Sequence, residues 1–158
     1  MQSQLKFVTE SLDTVKKMCD HQKTSKKGFV AFSARTSKQL TSTAASIKVV
    51  FGHIVTNIGK AYNSATGIFT APSDGVYVFA WTILTNPKKY FDSELVVNGI
   101  PKLYNAANAL NGGGSYESSG CTGVMELKTG DKVWIRKVSS SGNFLRERWC
   151  SFSGWKLL

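Results

Sequence analysis

The 158-residue sequence predicts an all-β fold, an antiparallel sandwich or jelly roll preceded by a short helix. Three observations carry that expectation. From Phe29 onward, apolar and β-branched residues come in short runs. Clusters of Gly, Asn, Asp, Ser and Pro separate the runs, and helical period, present before Cys19, disappears. A composition of 42% hydrophobic and 11% aromatic residues supplies one real core, and the length leaves no room for a second domain.

In chain order, Leu5, Val8, Leu12, Val15 and Cys19 alternate spacings of three and four with charges between them, the seam of a short helix. About two heptads are marginal alone in water, so this helix needs a partner: its own domain, or a parallel bundle with other copies in which Cys19 pairs between chains. The polar run His21 to Gly28 reads as a linker, dividing the chain into residues 1–27, helix and linker, and 28–158, the globular domain. Strands are predicted at Phe29–Ala34, Ile47–Phe51, Ile68–Thr70, Val76–Leu84, Tyr90–Val97, Val124–Leu127, Lys132–Lys137 and Trp149–Leu157. Turns are predicted at Ala71–Gly75, Val97–Gly99, Thr129–Asp131 and Ser139–Asn143, where Gly, Asn and Asp accept positive φ. The Gly- and Ser-rich stretch Asn108–Gly120 reads as a long surface loop.

Charge and motif narrow the function classes. Twenty Lys+Arg stand against ten Asp+Glu, with net +3 in residues 1–27 and +7 in 28–158, a balance that favours polyanionic partners. No run approaches the roughly 20 apolar residues that span a bilayer, and the start MQSQLKFVTESLD lacks the apolar core of a signal peptide. A secreted protein with this sequence has had its signal removed. GxSxG, SxxK, HExxH and a Walker loop are all absent, and Cys19, Cys121 and Cys150 form no metal spacing with His21 or His53. A binding protein is expected, not an enzyme.

Phe51, Asn57, Tyr62, Phe69, Gly75, Tyr77 and Phe79 fall at fixed separations over 29 residues that resemble the signature of the complement component 1q globular-head family. Trp81 stands where that signature usually has Phe or Tyr. Val30–Ala34, the Asn98-Gly99 pair, Leu127–Trp134 and Phe152–Trp155 extend the resemblance over residues 28 to 158. The resemblance implies a ten-stranded antiparallel jelly roll of tumour-necrosis-factor-like topology, packed as a homotrimer with both termini at its base. It also implies that the signature aromatics and Phe152 fill the core, with Gly154 admitting a close backbone approach.

Strand alternation then places Val138–Arg148, Asn98–Gly120 and Ala71–Gly75 at the apex, and the turns holding Lys88-Lys89 and Lys128–Lys132 at the base. Invertebrate members of the family are secreted pattern-recognition lectins, which implies a multivalent role here against acidic or microbial polysaccharides and glycoconjugates. The candidate ligand-binding residues are Lys102, Tyr104, Asn105, Asn108, Tyr116, Asn143, Arg146 and Arg148, because sugars are held by aromatic faces, amides and cationic donors. The alternative at this site is a solvated loop whose arginines pair with Glu147 or Glu117. Lys88, Lys89, Arg136 and Lys137 form an expected secondary basic surface. Cys121 and Cys150 form a candidate apical disulfide, against which stands a strand expected between them. No cofactor is expected: the calcium site of some relatives finds few apical acids here, Asp74 and Glu117 chiefly. Nucleic acid is not favoured as a partner. A cytokine-like or bridging protein ligand stands as the alternative function, since the fold does not separate the two.

Overall fold

A computed structural model describes residues 10–17, 28–41, 44–111, 113–138 and 145–157. Ten strands follow one helical segment: β1 (Ala31–Arg35), β2 (His53–Ile58), β3 (Tyr62–Asn63), β4 (Ile68–Thr70), β5 (Gly75–Thr85), β6 (Tyr90–Val97), β7 (Ile100–Asn108), β8 (Glu117–Leu127), β9 (Lys132–Lys137) and β10 (Ser151–Lys156). They form two five-stranded sheets in the orders β2-β1-β10-β5-β8 and β3-β4-β9-β6-β7, and every named pairing is antiparallel. This is the expected jelly-roll sandwich.

The helix covers residues 10–17, and Leu12 and Val15 on its seam are 54% and 60% exposed. Those two seam positions are therefore not buried against the described residues. Leu5, Val8, Cys19 and the expected linker lie outside the described residues.

Alternation along the strands explains the core. Phe32, Tyr77, Phe79, Phe69 and Phe152 point between the sheets and are buried. Phe32 stacks on Tyr62 with centroids 4.5 Å apart, and Phe152 meets it edge-on at 4.9 Å. Each such buried aromatic contributes on the order of 2–3 kcal/mol relative to exposure. Asn57, in β2, owes its place to hydrogen bonding: its Nδ2 donates to the Tyr62 carbonyl at 2.8 Å and its Oδ1 accepts from the Tyr62 N–H at 3.3 Å. That clamp sets the β2–β3 turn. Trp81 is accommodated because its Nε1 donates to Ser93 Oγ at 2.9 Å across the sandwich. Gly154 differs from expectation: the groups pressed against it are the Phe79 and Phe32 rings, not a neighbouring backbone.

Several elements depart from the sequence reading. Residues 46–49 run beside β9, with Val49 N–H bonded to the Ile135 carbonyl and Lys137 N–H to that of Ile47, but form only an isolated bridge. The sequence reading does not anticipate β2, β3 and β7, and the expected loop at Asn108–Gly120 is trimmed at its end by β8, which starts at Glu117. Cross-strand pairing decides here: β8 alternates half-buried and exposed residues while pairing with β5 over its whole length.

The pairing also fixes the two ends. Ala31 lies opposite Trp155, so the start of β1 and the end of β10 share the basal end. Gly75 opposite Leu127 puts Ala71–Gly75 at the base as well, and Val97 opposite Val133 puts Asn98-Gly99 there. Thr85 opposite Glu117 and Tyr90 opposite Asn108 place Asn86–Lys89 at the apex. These placements correct three expectations: Ala71–Gly75 and Asn98-Gly99 are basal, and Lys88-Lys89 is apical.

Candidate ligand-binding site

The apical end gathers the tops of β1, β5 and β10 around residues 145–150. Arg146 N–H bonds to the Leu84 carbonyl at 3.1 Å, Arg148 N–H to the Thr36 carbonyl at 2.9 Å, and Thr36 Oγ1 donates to the Arg146 carbonyl at 3.1 Å. Beneath them the Cys150 thiol, fully buried, accepts from Leu84 N–H at 3.1 Å. Burial pushes that thiol up to about 11. The backbone under both arginines is thus held by the sandwich.

On this platform the Arg146 guanidinium carbon lies 4.4 Å from the centroid of Tyr116 and 5.6 Å from that of Trp149. Both rings are largely exposed, at 50% and 63%. Stacking occupies the faces of a guanidinium and leaves its edge N–H donors for an acceptor. No carboxylate pairs with Arg146 among the described residues. Arg148, at φ +64°, approaches Glu147 only at 3.9 Å with both side chains exposed, a contact worth little. Lys88 and Lys89 stand at the same end, in a turn tied to Ala109 by hydrogen bonds of 3.0 and 2.8 Å. Arg35 and Lys38, at the top of β1, are exposed there too.

The remaining expected site residues do not converge on this cluster. Asn143 lies outside the described residues. Asn105 points inward, 7% exposed, where its Nδ2 donates to the Ser119 carbonyl at 3.2 Å and its Oδ1 accepts from Ser119 Oγ. It is a core residue. Asn108 is apical, and its Oδ1 accepts from Leu110 N–H at 3.1 Å to shape the following turn. Lys102 and Tyr104 project from the outer face of β7, below the apex.

The secondary basic surface breaks up in the same way. Arg136 pairs with Glu94 on that outer face. Lys137 is directed into the sandwich and fully buried, its Nζ 3.5 Å from the Ala44 carbonyl, because β9 alternation assigns it to the core side. Burial lowers its pKa, opposed by the charge of Asp92.

At the base, Asp74 accepts from Thr129 N–H at 2.8 Å, Thr129 Oγ1 at 2.9 Å and Lys128 Nζ at 3.3 Å, bonds that hold its pKa below the usual carboxylate range. Asp131, likewise lowered, accepts from Lys128 N–H and Asn98 Nδ2, each at 2.8 Å. Asp74 is therefore a basal turn brace, not an apical acid. Among the described residues no three His, Cys, Asp or Glu side chains group to hold a metal.

Known proteins show the same architecture. The C1q domain profile matches residues 31–157. The chain belongs to the C1q domain family. It is 30% identical over 115 residues to complement C1q tumor necrosis factor-related protein 3 of Mus musculus, covering 69% of this chain and 44% of that one. It is 28% identical over 130 residues to Caprin-2 of Danio rerio, covering 81% and 14%. With the heavy metal-binding protein HIP of Mytilus edulis it shares 29% over 133 residues, covering 81% and 60%. The chain thus spans less than two thirds of each relative. Among solved structures, the globular domain of zebrafish complement 1qA superposes with a TM-score of 0.66 at 20% identity, covering 82% of this chain and 98% of that one. Murine APRIL superposes at 0.64 and 14%, covering 82% and 99%.

Within this C1q domain the candidate disulfide does not form: Cys121 and Cys150 are free thiols. Trp81 of β5 pairs with Cys121 on one side and with Phe152 on the other, so β5 separates the two cysteines. Two interstrand spacings, about 9–10 Å, exceed the reach of a disulfide. The candidate site residue that the sequence does not single out is Trp149, which precedes β10 and does not begin the closing strand. An aromatic immediately after Arg146-Glu147-Arg148 was the available signal. Among the described residues no helix is long and apolar enough to cross a membrane.

Proposed function

We propose that this C1q domain is a secreted carbohydrate-binding pattern-recognition protein that acts as a homotrimer on acidic or microbial glycans. The observation that carries the reading is the half-buried Arg146 guanidinium against the exposed Tyr116 and Trp149 rings at the apex, with Arg148, Lys88 and Lys89 exposed at the same end. An aromatic face takes the C–H side of a pyranose, while the guanidinium edge takes a carboxylate or sulfate in two parallel hydrogen bonds. The same positive end draws anionic polymers toward it.

Self-association is supported by the outer face of the first sheet. Ser33, Ser153, Ala80 and Thr122 make it flat, and Val124, Trp155 and Ile58 leave 60%, 40% and 53% of their apolar surface exposed across its basal half. Exposed apolar area of this kind marks an interface. The seam of the helix, open at Leu12 and Val15, suits a bundle with other copies. Three apical sites on one assembly raise avidity for a repeating polymer about a hundred- to ten-thousandfold.

The mussel relative's name speaks of heavy metal, and no metal-ligating group here supports that role among the described residues. The test is selective binding to acidic glycans that is lost in an Arg146→Ala/Arg148→Ala variant. Saturable binding to a cell-surface protein, indifferent to glycans, would move the assignment to a protein ligand.

A further inference from the structure

A concavity lies on the outer face of the second sheet, just below its apical end, where Asp92 and Ala106 pair two residues from the apical Tyr90–Asn108 pair. It is open, about 350 Å³ in volume, and lined by Asp92, Ser93, Tyr104, Asn105, Ala106 and Val138. The alternation of β6 and β7 makes it. Asp92 pairs with Ala106 across the two strands, and one step along, Glu94 pairs with Tyr104. All four side chains stand on the outward side, since Phe91 and Ser93 point into the core. Ala106 is small between Tyr104 and Asn108, so the sheet surface dips there. Tyr104, 64% exposed, forms one wall, and Val138, 37% exposed, belongs to the other.

The chemistry of the lining selects a ligand class. Tyr104 offers an open aromatic ring, and Ala106 and Val138 offer apolar contact. The acceptor is Asp92, which carries no ion pair among the described residues, unlike Glu94, whose partner is Arg136. An anionic ligand is repelled by that carboxylate. A cation meets a protein of net charge +10, and the buried Lys137 ammonium already interacts with Asp92 from the core side. A neutral polyol meets neither penalty: its hydroxyls donate to the carboxylate while its C–H face lies on the ring.

The geometry points to a neutral-pyranose site at Asp92, Tyr104 and Ala106, distinct from the apical cationic cluster and independent of it. The volume accommodates one monosaccharide ring, at the small end of ligand pockets, which run from about 300 Å³ upward. A polysaccharide that alternates acidic and neutral sugars then has two kinds of contact on each subunit, apical for its charges and lateral for its neutral rings.

The test is an amide-shift NMR titration of the full chain with the methyl glycosides of mannose, galactose, glucose and N-acetylglucosamine, and with propylammonium chloride as a cationic probe. The expected result is saturable shifts at Asp92, Ala106 and Tyr104 with at least one glycoside, with a Kd in the millimolar range that is common for single weak sites. Ala106→Phe, an exposed position whose ring fills the dip, is expected to raise that Kd at least tenfold while leaving core amides in place. Tyr104→Ala serves as a second variant that adds no bulk. The Arg146→Ala/Arg148→Ala variant is expected to bind the glycoside as well as the parent does, which separates this site from the apical one. Shifts only with propylammonium, no shifts with any glycoside, or shifts that persist in both Ala106→Phe and Tyr104→Ala would overturn the assignment.

Discussion

Replacing Gly154 with alanine puts a methyl group where the structure has aromatic rings. A Cβ there comes within 2.5 Å of Phe79 Cδ1, 2.7 Å of Phe32 Cε1 and 2.8 Å of Phe79 Cε1. Neither ring can retreat easily: Phe32 is stacked on Tyr62 at 4.5 Å, and Phe79 meets Phe69 at 5.2 Å. Overpacking of this kind costs about 1–3 kcal/mol. Gly120 in β8 supplies the control. Its added Cβ meets nothing nearer than Thr82 Oγ1 at 3.7 Å, and its φ is not positive, so alanine there gains about 0.4–1 kcal/mol through the unfolded chain. The two variants therefore differ by about 1.5–4 kcal/mol. With a urea slope of about 2 kcal/mol per molar, their unfolding midpoints separate by roughly 1–2 M at one fixed protein concentration. Midpoints that agree to within about 0.2 M would refute the packing of Phe32 and Phe79 around Gly154.

Three further outcomes are expected. Cys150 ionises in the fold only near pH 11 against about 9 when unfolded, and Tyr62 near 12 against about 10. Both favour their neutral forms in the fold, so stability holds below pH 9 and falls between 9 and 12. The thiol accounts for about 3 kcal/mol of that fall, and circular dichroism of Cys150→Ala should show a flatter loss from 9 to 11. In a Cys19→Ser background, a thiol reagent should label Cys121 in the native protein and Cys150 only after unfolding; rapid labelling of both would contradict the burial of Cys150. Val124→Asp with Trp155→Asp should lower the mass seen by sedimentation from trimer to monomer while leaving the β-sheet spectrum intact, whereas an unchanged mass would remove the outer face of the first sheet as the interface.

Much of the fold was legible because the resemblance to the family signature marks which aromatics face the core. Phe51, Tyr62, Phe69, Tyr77, Phe79 and Phe152 could be assigned to the interior from sequence, and all are buried. β7 was less legible: Lys102, Tyr104 and Ala106 face outward at its exposed edge, and Pro101 and the Asn98-Gly99 turn made the stretch read as loop. β8 was obscured by Gly120 and Gly123, whose strand character comes from pairing with β5 and not from propensity.

The site was legible in part. Arg146 and Tyr116 meet as their residue types suggested, but Asn105 and Lys137 are core residues because strand parity turns them inward. Parity in β9 and β7 follows from register, which a one-residue shift inverts, and composition does not record it. The apical and basal ends were partly interchanged because β7 was not recognised, and each missed strand reverses the chain direction assigned to its neighbours.

The central claim is tested most directly by a glycan array at physiological salt, comparing the parent chain with Arg146→Ala/Arg148→Ala and with Trp149→Ala. The account predicts selective binding of the parent to acidic glycans, lost in the double arginine variant and weakened by removal of the Trp149 ring. No glycan binding by the parent, or binding that disappears with modest salt and ignores all three substitutions, would contradict it.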